Sequence, residues 1–245
     1  MKNTAAIILA GGEGTRFNDG KPSKKPKVLY EVSGKPLISY SLKVLEGIGV
    51  EEVIIVVGYK GEEIRSALGN KYKYGIQKRP FGTGDATLSG LEKLSKESQN
   101  VMVLYGGDIY SEEILKSTLD THQKENAKLT FVTVMIDNPT GFGRIVRNES
   151  GAVKSIVEEK VTTKDQKKIK EINDGCYIFE REWLIKNINL LSASKIKEYF
   201  LTDLVEIAVN NKDKVSTFTL SDPKDWVGVD SFEDIEKAEK MFKGD

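Results

Sequence analysis

Two hydrophobic rhythms alternate along the first half of the chain. Short apolar runs recur at 4–10 (TAAIILA), 51–57 (EEVIIVV), 71–77 (KYKYGIQ), 100–106 (NVMVLYG) and 128–136 (KLTFVTVMI). Between them, at 36–50, 61–69, 83–96 and 111–126, apolar residues fall three and four apart. The first rhythm predicts buried strands and the second amphipathic helices. Their alternation predicts a mixed, mostly parallel sheet covered on both faces. Glycines close the helices at 36–50 and 61–69, and Thr83 and Ser111 stand where N-caps open the next two. After Thr140 the texture changes. Residues 141–159 read as two strands joined by a turn from Asn148 to Gly151, and 171–179 as another strand. Helical spacing returns around 182–191, 201–211 and 231–242. No Pro/Ser-rich linker, internal repeat or low-complexity segment interrupts, so 1–245 is expected to be one α/β domain with its second half laid over or beside the sheet.

Charge and composition narrow the chemistry. Lys and Arg total 37, as do Asp and Glu. A zero balance argues against binding nucleic acid or an anionic membrane surface by bulk charge. The single cysteine, Cys176, excludes an intramolecular disulfide framework and fits a reducing cytosol. It lies in an apolar strand, where a buried structural thiol is expected. The single histidine, His122, nearly excludes His-based triads and multi-His metal centres. It sits among Asp, Gln and Lys, and a solvated position is expected for it. The apolar run before the first glycines is too short for a signal peptide or a membrane span, so a cytoplasmic protein is expected.

The most informative stretch is AIILAGGEGTRF, residues 6–17. Glycines directly after a strand allow a sharp turn and close approach of a ligand to the backbone, whose N–H groups form an anion-binding concavity. A Walker loop would need Lys-Ser/Thr after its last glycine, but Thr15, Arg16 and Phe17 follow Gly14. A dinucleotide fingerprint would open a helix, but NDGKPSKKPK, rich in Lys and Pro, cannot. A glycine-rich basic ligand loop and a flexible surface turn both remain open from this stretch alone.

LAGGEGTRF followed by KPKVLYEVSGKPLI resembles the signature of sugar-1-phosphate nucleotidyltransferases. QKRPFGTGDA, VLYGGD, PTGFGRIVR, SIVEEK, EINDGCYIF, YFLTD and WVGVDS continue the resemblance in order, from about Ala6 to Asp234. The run IVEEKVTTKDQKKIKEIN is similar to the branch that makes UDP-N-acetylglucosamine. The resemblance implies a three-layer, Rossmann-like sheet of the nucleotide-diphospho-sugar transferase (GT-A-like) type. It implies a nucleotide-binding half over about 1–110 and a sugar-binding half over 111–245. The implied reaction is Mg²⁺-dependent transfer from a nucleoside triphosphate, UTP first, to a sugar 1-phosphate, N-acetylglucosamine 1-phosphate first. Other sugar or polyol phosphates with dTTP, CTP or GTP are the alternative, and a non-catalytic nucleotide-sugar-binding subunit is the alternative of another class. Hexapeptide repeats mark the acetyltransferase of the family's bifunctional members. None occurs through Asp245, so acetyltransferase activity is not expected of this chain.

Nucleotidyl transfer depends on positioning and charge neutralisation, which gives each motif a role. By the resemblance, Arg16 and Lys27 are the catalytic cations on the triphosphate, with Lys24 and Lys25 solvated loop charges. Leu9, Ala10, Gly11, Gly12, Gly14 and Thr15 cradle the nucleotide. Gln77, Gly82 and Thr83 read the base. Asp108 and Asp230 hold Mg²⁺, which takes one or two carboxylates besides phosphates and water. Asp230 could instead cap the last helix, although Ser231 is the better-placed cap. On the sugar side the resemblance assigns Gly143, Glu158, Asn173 and Thr202, with Lys160 neutralising the sugar phosphate. Glu158 and Glu159 could instead be alternating strand faces, one of them solvated, and Thr202 could instead be an N-cap. The chain departs from the UDP-N-acetylglucosamine branch at Asp230, where Asn is common, in an extra glycine before Asp108, in KRP before Phe81, and at Asp174, commonly Thr or Ser.

Overall fold

The structure is a computed structural model describing residues 3–95, 97–194 and 197–243. In chain order the first half runs β1 (Thr4–Leu9), β2 (Glu31–Val32), β3 (Lys35–Pro36), α1 (Leu37–Gly47), β4 (Glu52–Val57), α2 (Gly61–Leu68), β5 (Lys73–Ile76), α3 (Thr83–Leu91), β6 (Asn100–Tyr105), β7 (Asp108–Tyr110) and α4 (Glu112–Lys124). The second half adds β8 (Leu129–Met135), β9 (Gly143–Arg147), β10 (Val153–Val157), β11 (Glu171–Glu180), α5 (Arg181–Asn187), α6 (Asp203–Asn210), β12 (Val215–Thr219), β13 (Trp226–Gly228) and α7 (Phe232–Lys243).

A nine-stranded mixed sheet forms the middle layer. β5, β4, β1 and β6 lie side by side and parallel, in the spatial order of a Rossmann half. β11 then runs antiparallel to β6, its other edge pairs with β8, and β12 joins β8 in parallel. The β9–β10 hairpin docks on the first residues of β11, which β6 does not reach. One face of the sheet packs under α1, α2 and α4 through Ile38, Leu45, Ile64 and Leu115. The other packs under α3, α5 and α6 through Ala86, Leu184, Leu204 and Ala208. These are the three layers that the alternating rhythms predict. A third cluster joins Phe17, Val32, Leu37, Ile109, Val229 and Ala238, fastening α7 to the loop after β1.

The helix predicted at 83–96 ends at Leu91, and its last residue, Lys96, lies outside the described residues. Thr83 is not its N-cap: Gly82 occupies that position, and the Thr83 hydroxyl instead accepts from the Leu201 N–H at 2.9 Å. Ser111 does cap α4, its hydroxyl accepting from Ile114 N–H at 3.3 Å, with Glu112 and Glu113 placed favourably in the first turn. His122 is buried, not solvated. With Ile114, Leu115, Thr118 and Leu119 it forms the inward stripe of α4, and its Nδ1 meets Thr130 Oγ1 at 2.9 Å. Cys176 is buried as expected, and burial raises its thiol pKa. The loop 15–29 holds two single 3₁₀ turns, Thr15–Phe17 and Lys27–Leu29.

Candidate active site

The site opens where the chain leaves β1 and β6 at their carboxyl ends, the point at which the strand order reverses. β1 runs into the glycine loop. Gly11 packs so closely that a Cβ there would sit 3.1 Å from both Gly58 N and Gln77 Oε1. Gly14 adopts a left-handed conformation (φ 60°) that starts the Thr15–Phe17 turn. Among the described residues the N–H groups of Gly11, Gly12 and Gly14 donate to nothing, so three backbone donors face a concave wall.

β7 and β13 build the charged corner. They pair antiparallel with Asp108 opposite Gly228, and Val229 N–H donates to Gly107 O at 3.1 Å. This brings Asp230 beside Asp108 across more than a hundred residues of sequence. Lys27 Nζ lies 2.5 Å from Asp230 Oδ1, and Arg16 donates to Asp230 Oδ2 at 2.6 Å. Burial pushes the Asp230 carboxyl up, but the two cations outweigh it and its pKa is lowered. Asp108 behaves oppositely. Burial dominates, Asp230 adds like-charge repulsion, Lys27 and Arg16 only partly offset them, and its pKa is raised to about 8. Among the described residues its side chain has just a long hydrogen bond from the Tyr110 hydroxyl, 3.4 Å. Asp230 leaves the capping role to Ser231, whose hydroxyl accepts from Asp234 N–H at 3.3 Å.

The two carboxylates suit a hard divalent cation. Asp108 is a buried carboxyl without a close donor among the described residues, and Asp230 lies next to it; both offer oxygen ligands. Among the described residues no cluster of three or more His, Cys, Asp or Glu side chains could hold a metal alone. Such an ion would therefore take its remaining ligands from phosphate and water.

On the sugar side β11 carries a register break between Asn173 and Tyr177. The bulge holds Gly175 at φ 98°, beneath the Tyr105 ring, and turns Asn173 and Asp174 into the site. Asn173 Nδ2 donates to the Tyr177 hydroxyl at 2.5 Å. Glu158, just past β10, is raised in pKa by burial and accepts from the Thr202 hydroxyl at 3.0 Å. Thr202 is fully buried and makes no capping bond to α6, so its capping alternative falls away. Glu159 is partly exposed, and its carboxylate pairs with buried Arg144 at 2.6 Å. Lys160 stands at the rim, mostly exposed, paired with Glu198 at 2.7 Å. Lys24 is exposed, and Lys25 makes a loose 3.7 Å pair with Glu31.

One cavity of about 490 Å³ gathers nearly all of these groups. Leu9, Ala10, Gly11, Gly12, Gly14, Thr15, Arg16, Lys27, Gln77, Gly82, Thr83, Asp108, Gly143, Glu158, Lys160, Asn173 and Asp230 line it, and Thr202 stands behind Glu158. Tyr105 and Asp174 also line it and were not singled out by sequence reasoning for the site. Asp174 is buried, its Oδ1 accepts from Cys176 N–H at 2.9 Å, its Oδ2 has no partner among the described residues, and burial raises its pKa well above the carboxylate range. Its place directly after Asn173 was the available signal.

The family described as "Nucleotidyl transferase" matches residues 5–243, and the chain belongs to it. Proteins named bifunctional protein GlmU are similar along 99% of this chain: 34% identical in Acetivibrio thermocellus, 36% in Heliobacterium modesticaldum and 37% in Thermoanaerobacter pseudethanolicus. The chain spans 52–53% of their length. A Bacillus anthracis crystal structure described as a glucose-1-phosphate thymidylyltransferase superposes with a TM-score of 0.79 at 20% identity, covering 97% of this chain and 94% of that one. It establishes the same Rossmann-like fold. Among the described residues no helix is long and apolar enough to cross a membrane.

Proposed function

We propose that the chain transfers a uridylyl group from UTP to N-acetylglucosamine 1-phosphate or a close hexose 1-phosphate, releasing pyrophosphate, with Mg²⁺ as cofactor and in the cytoplasm. The observation that carries this reading is the charged corner. Two cations and two carboxylates, Asp108 buried and Asp230 half-buried, line one cavity with three backbone donors that have no partner among the described residues. The run IVEEKVTTKDQKKIKEIN, similar to the branch that makes UDP-N-acetylglucosamine, favours this nucleotide and this sugar.

In this reading a phosphate oxygen of the sugar attacks the α-phosphorus, that bond forms as the α–β bridge breaks, and pyrophosphate departs. Arg16 and Lys27 exchange Asp230 for the triphosphate oxygens, Arg16 through a two-pronged contact. The glycine-loop amides hold the phosphates in line. Glu158, oriented by Thr202, accepts from sugar hydroxyls, and Asn173 and the Gly143 backbone complete that side. Mg²⁺, held by Asp108 and Asp230, would spread the charge developing on the phosphates. A second reading uses dTTP with a hexose 1-phosphate. Asp230, in place of the Asn common in the UDP-N-acetylglucosamine branch, favours it. Pyrophosphate release measured with UTP, dTTP, CTP and GTP against several sugar 1-phosphates decides. Release with UTP and N-acetylglucosamine 1-phosphate alone supports the first reading. Release with another pair replaces the substrates, and nucleotide binding without release points to a non-catalytic subunit.

A further inference from the structure

Gln77 follows β5, its backbone N–H held by Val57 O at 2.8 Å. Its side-chain amide has one acceptor and two donors, and in isolation either end can face a ligand. Here both donors are engaged. Nε2 donates to the Gly82 carbonyl at 3.0 Å and to Asp85 Oδ2 at 3.0 Å. A carbonyl and a carboxylate have no proton to give, so the reversed amide would set its oxygen against two oxygens. Oε1 is what remains. It lies over Gly11, on the wall of the cavity. Asp85 is not part of that wall. It sits half-buried in the first turn of α3, behind Gln77.

We propose that Asp85 is a positioning residue for base selection: it holds Gln77 so that the cavity meets the base with an acceptor, and so favours the imide N3–H of uracil or thymine over the bare N3 of cytosine. The inference rests on the nucleotidyl-transfer reading above and specifies its base. Gly82 alone engages one N–H of the amide. With Asp85 removed, the second N–H loses its partner and the amide can turn, offering a donor to cytosine N3. The Gly82 N–H, without a partner among the described residues, supplies a donor beside the acceptor, which suits a carbonyl flanking the imide.

The test is steady-state pyrophosphate release with UTP, dTTP and CTP, Mg²⁺ and saturating sugar 1-phosphate, for the unaltered chain, Asp85→Ala and Asp85→Asn. The unaltered chain is expected to prefer UTP or dTTP over CTP. Asp85→Ala is expected to raise KM for the preferred nucleotide about ten-fold, the worth of one hydrogen bond, with a much smaller change in kcat. Discrimination against CTP falls by a similar factor. Asp85→Asn, whose side-chain oxygen still accepts, restores both. Asp85→Ser, too short to reach Nε2, replaces the alanine variant if that variant does not fold. Unchanged KM and discrimination in Asp85→Ala, equal losses in the Ala and Asn variants, or a preference for CTP in the unaltered chain would each overturn the proposal. Absence of release with all three nucleotides overturns the underlying functional reading, and is told apart because it appears before any substitution.

Discussion

At the amino end of β8 the His122 imidazole is buried against Thr130, Lys128 pairs with Glu180 at 2.9 Å, and Trp183 Nε1 donates to Asp213 at 2.7 Å. At the carboxyl end of β6, about one strand length away, among the described residues Asp108 is buried with no close donor, Asp174 leaves an oxygen unpartnered, and Asp230 is shared between two cations. Both ends bury ionisable groups. At the amino end the named groups have local partners, and the result is structure. At the carboxyl end charge is left uncompensated or over-compensated, which costs stability and is useful only if a ligand completes the balance.

The sharpest break of this contrast is Asp108→Asn. The account expects kcat/KM to fall roughly 10³-fold with Mg²⁺, the scale of removing a group that neutralises transition-state charge. Near-normal turnover in a pyrophosphate-release assay would remove Asp108 from the chemistry.

His122 tests the other end. Burial lowers its pKa to about 4, so the folded form resists protonation while the unfolded chain takes up a proton near the ordinary value of about 6.5. Stability is therefore full above about pH 6.5 and is lost as pH falls to about 4, by on the order of 3 kcal/mol in total. Urea unfolding at pH 7 and pH 4 should show a steeper loss for the unaltered chain than for His122→Gln. Parallel losses would mean that His122 titrates as a solvated residue.

Gly82, on the cavity wall, packs against the backbone at Tyr199. Its φ is 99°, and a Cβ would sit 2.6 Å from the Tyr199 carbonyl oxygen. Gly82→Ala should cost about 2–3 kcal/mol in chemical denaturation, through strain and displacement of the segment carrying Tyr199. A change under about 0.5 kcal/mol would show that this backbone is easily remodelled. The smallest effect is expected from Thr202→Val, which removes the hydroxyl donor to Glu158. KM for the sugar phosphate should rise about ten-fold with KM for the nucleotide unchanged, the size of one hydrogen bond to a charged group. Equal rises in both would show that Thr202 shapes the whole cavity.

The parallel core was legible because β1, β4 and β6 are buried on both faces and their apolar runs say so. The glycine loop and Asp108 were legible because they follow such strands closely, whereas Lys27, far along the loop after β1, was legible only through the resemblance. β2, β3, β7 and β13 have two or three residues each, too few for any periodicity to register. The pairing of β7 with β13, which brings Asp230 to Asp108, is a long-range contact that no local pattern encodes. His122 was misread from its polar neighbours Asp120, Gln123 and Lys124, although its spacing from Thr118 and Leu119 lies on the buried stripe. Thr202 stands at the cap of α6 and Thr83 one residue inside α3, and tertiary partners claim both hydroxyls instead. The clamp of Asp85 on Gln77 needed the fold as well, because it depends on how the start of α3 meets the end of β5.

The central claim is that the carboxyl edge is built for a metal-bound triphosphate and the amino edge for stability. The most direct measurement is pyrophosphate release with UTP, N-acetylglucosamine 1-phosphate and Mg²⁺ at pH 7.5, run side by side on Asp108→Asn and His122→Gln. The account predicts roughly 10³-fold loss in the first and turnover within a few-fold of normal in the folded second. Comparable activity in the two variants would contradict it.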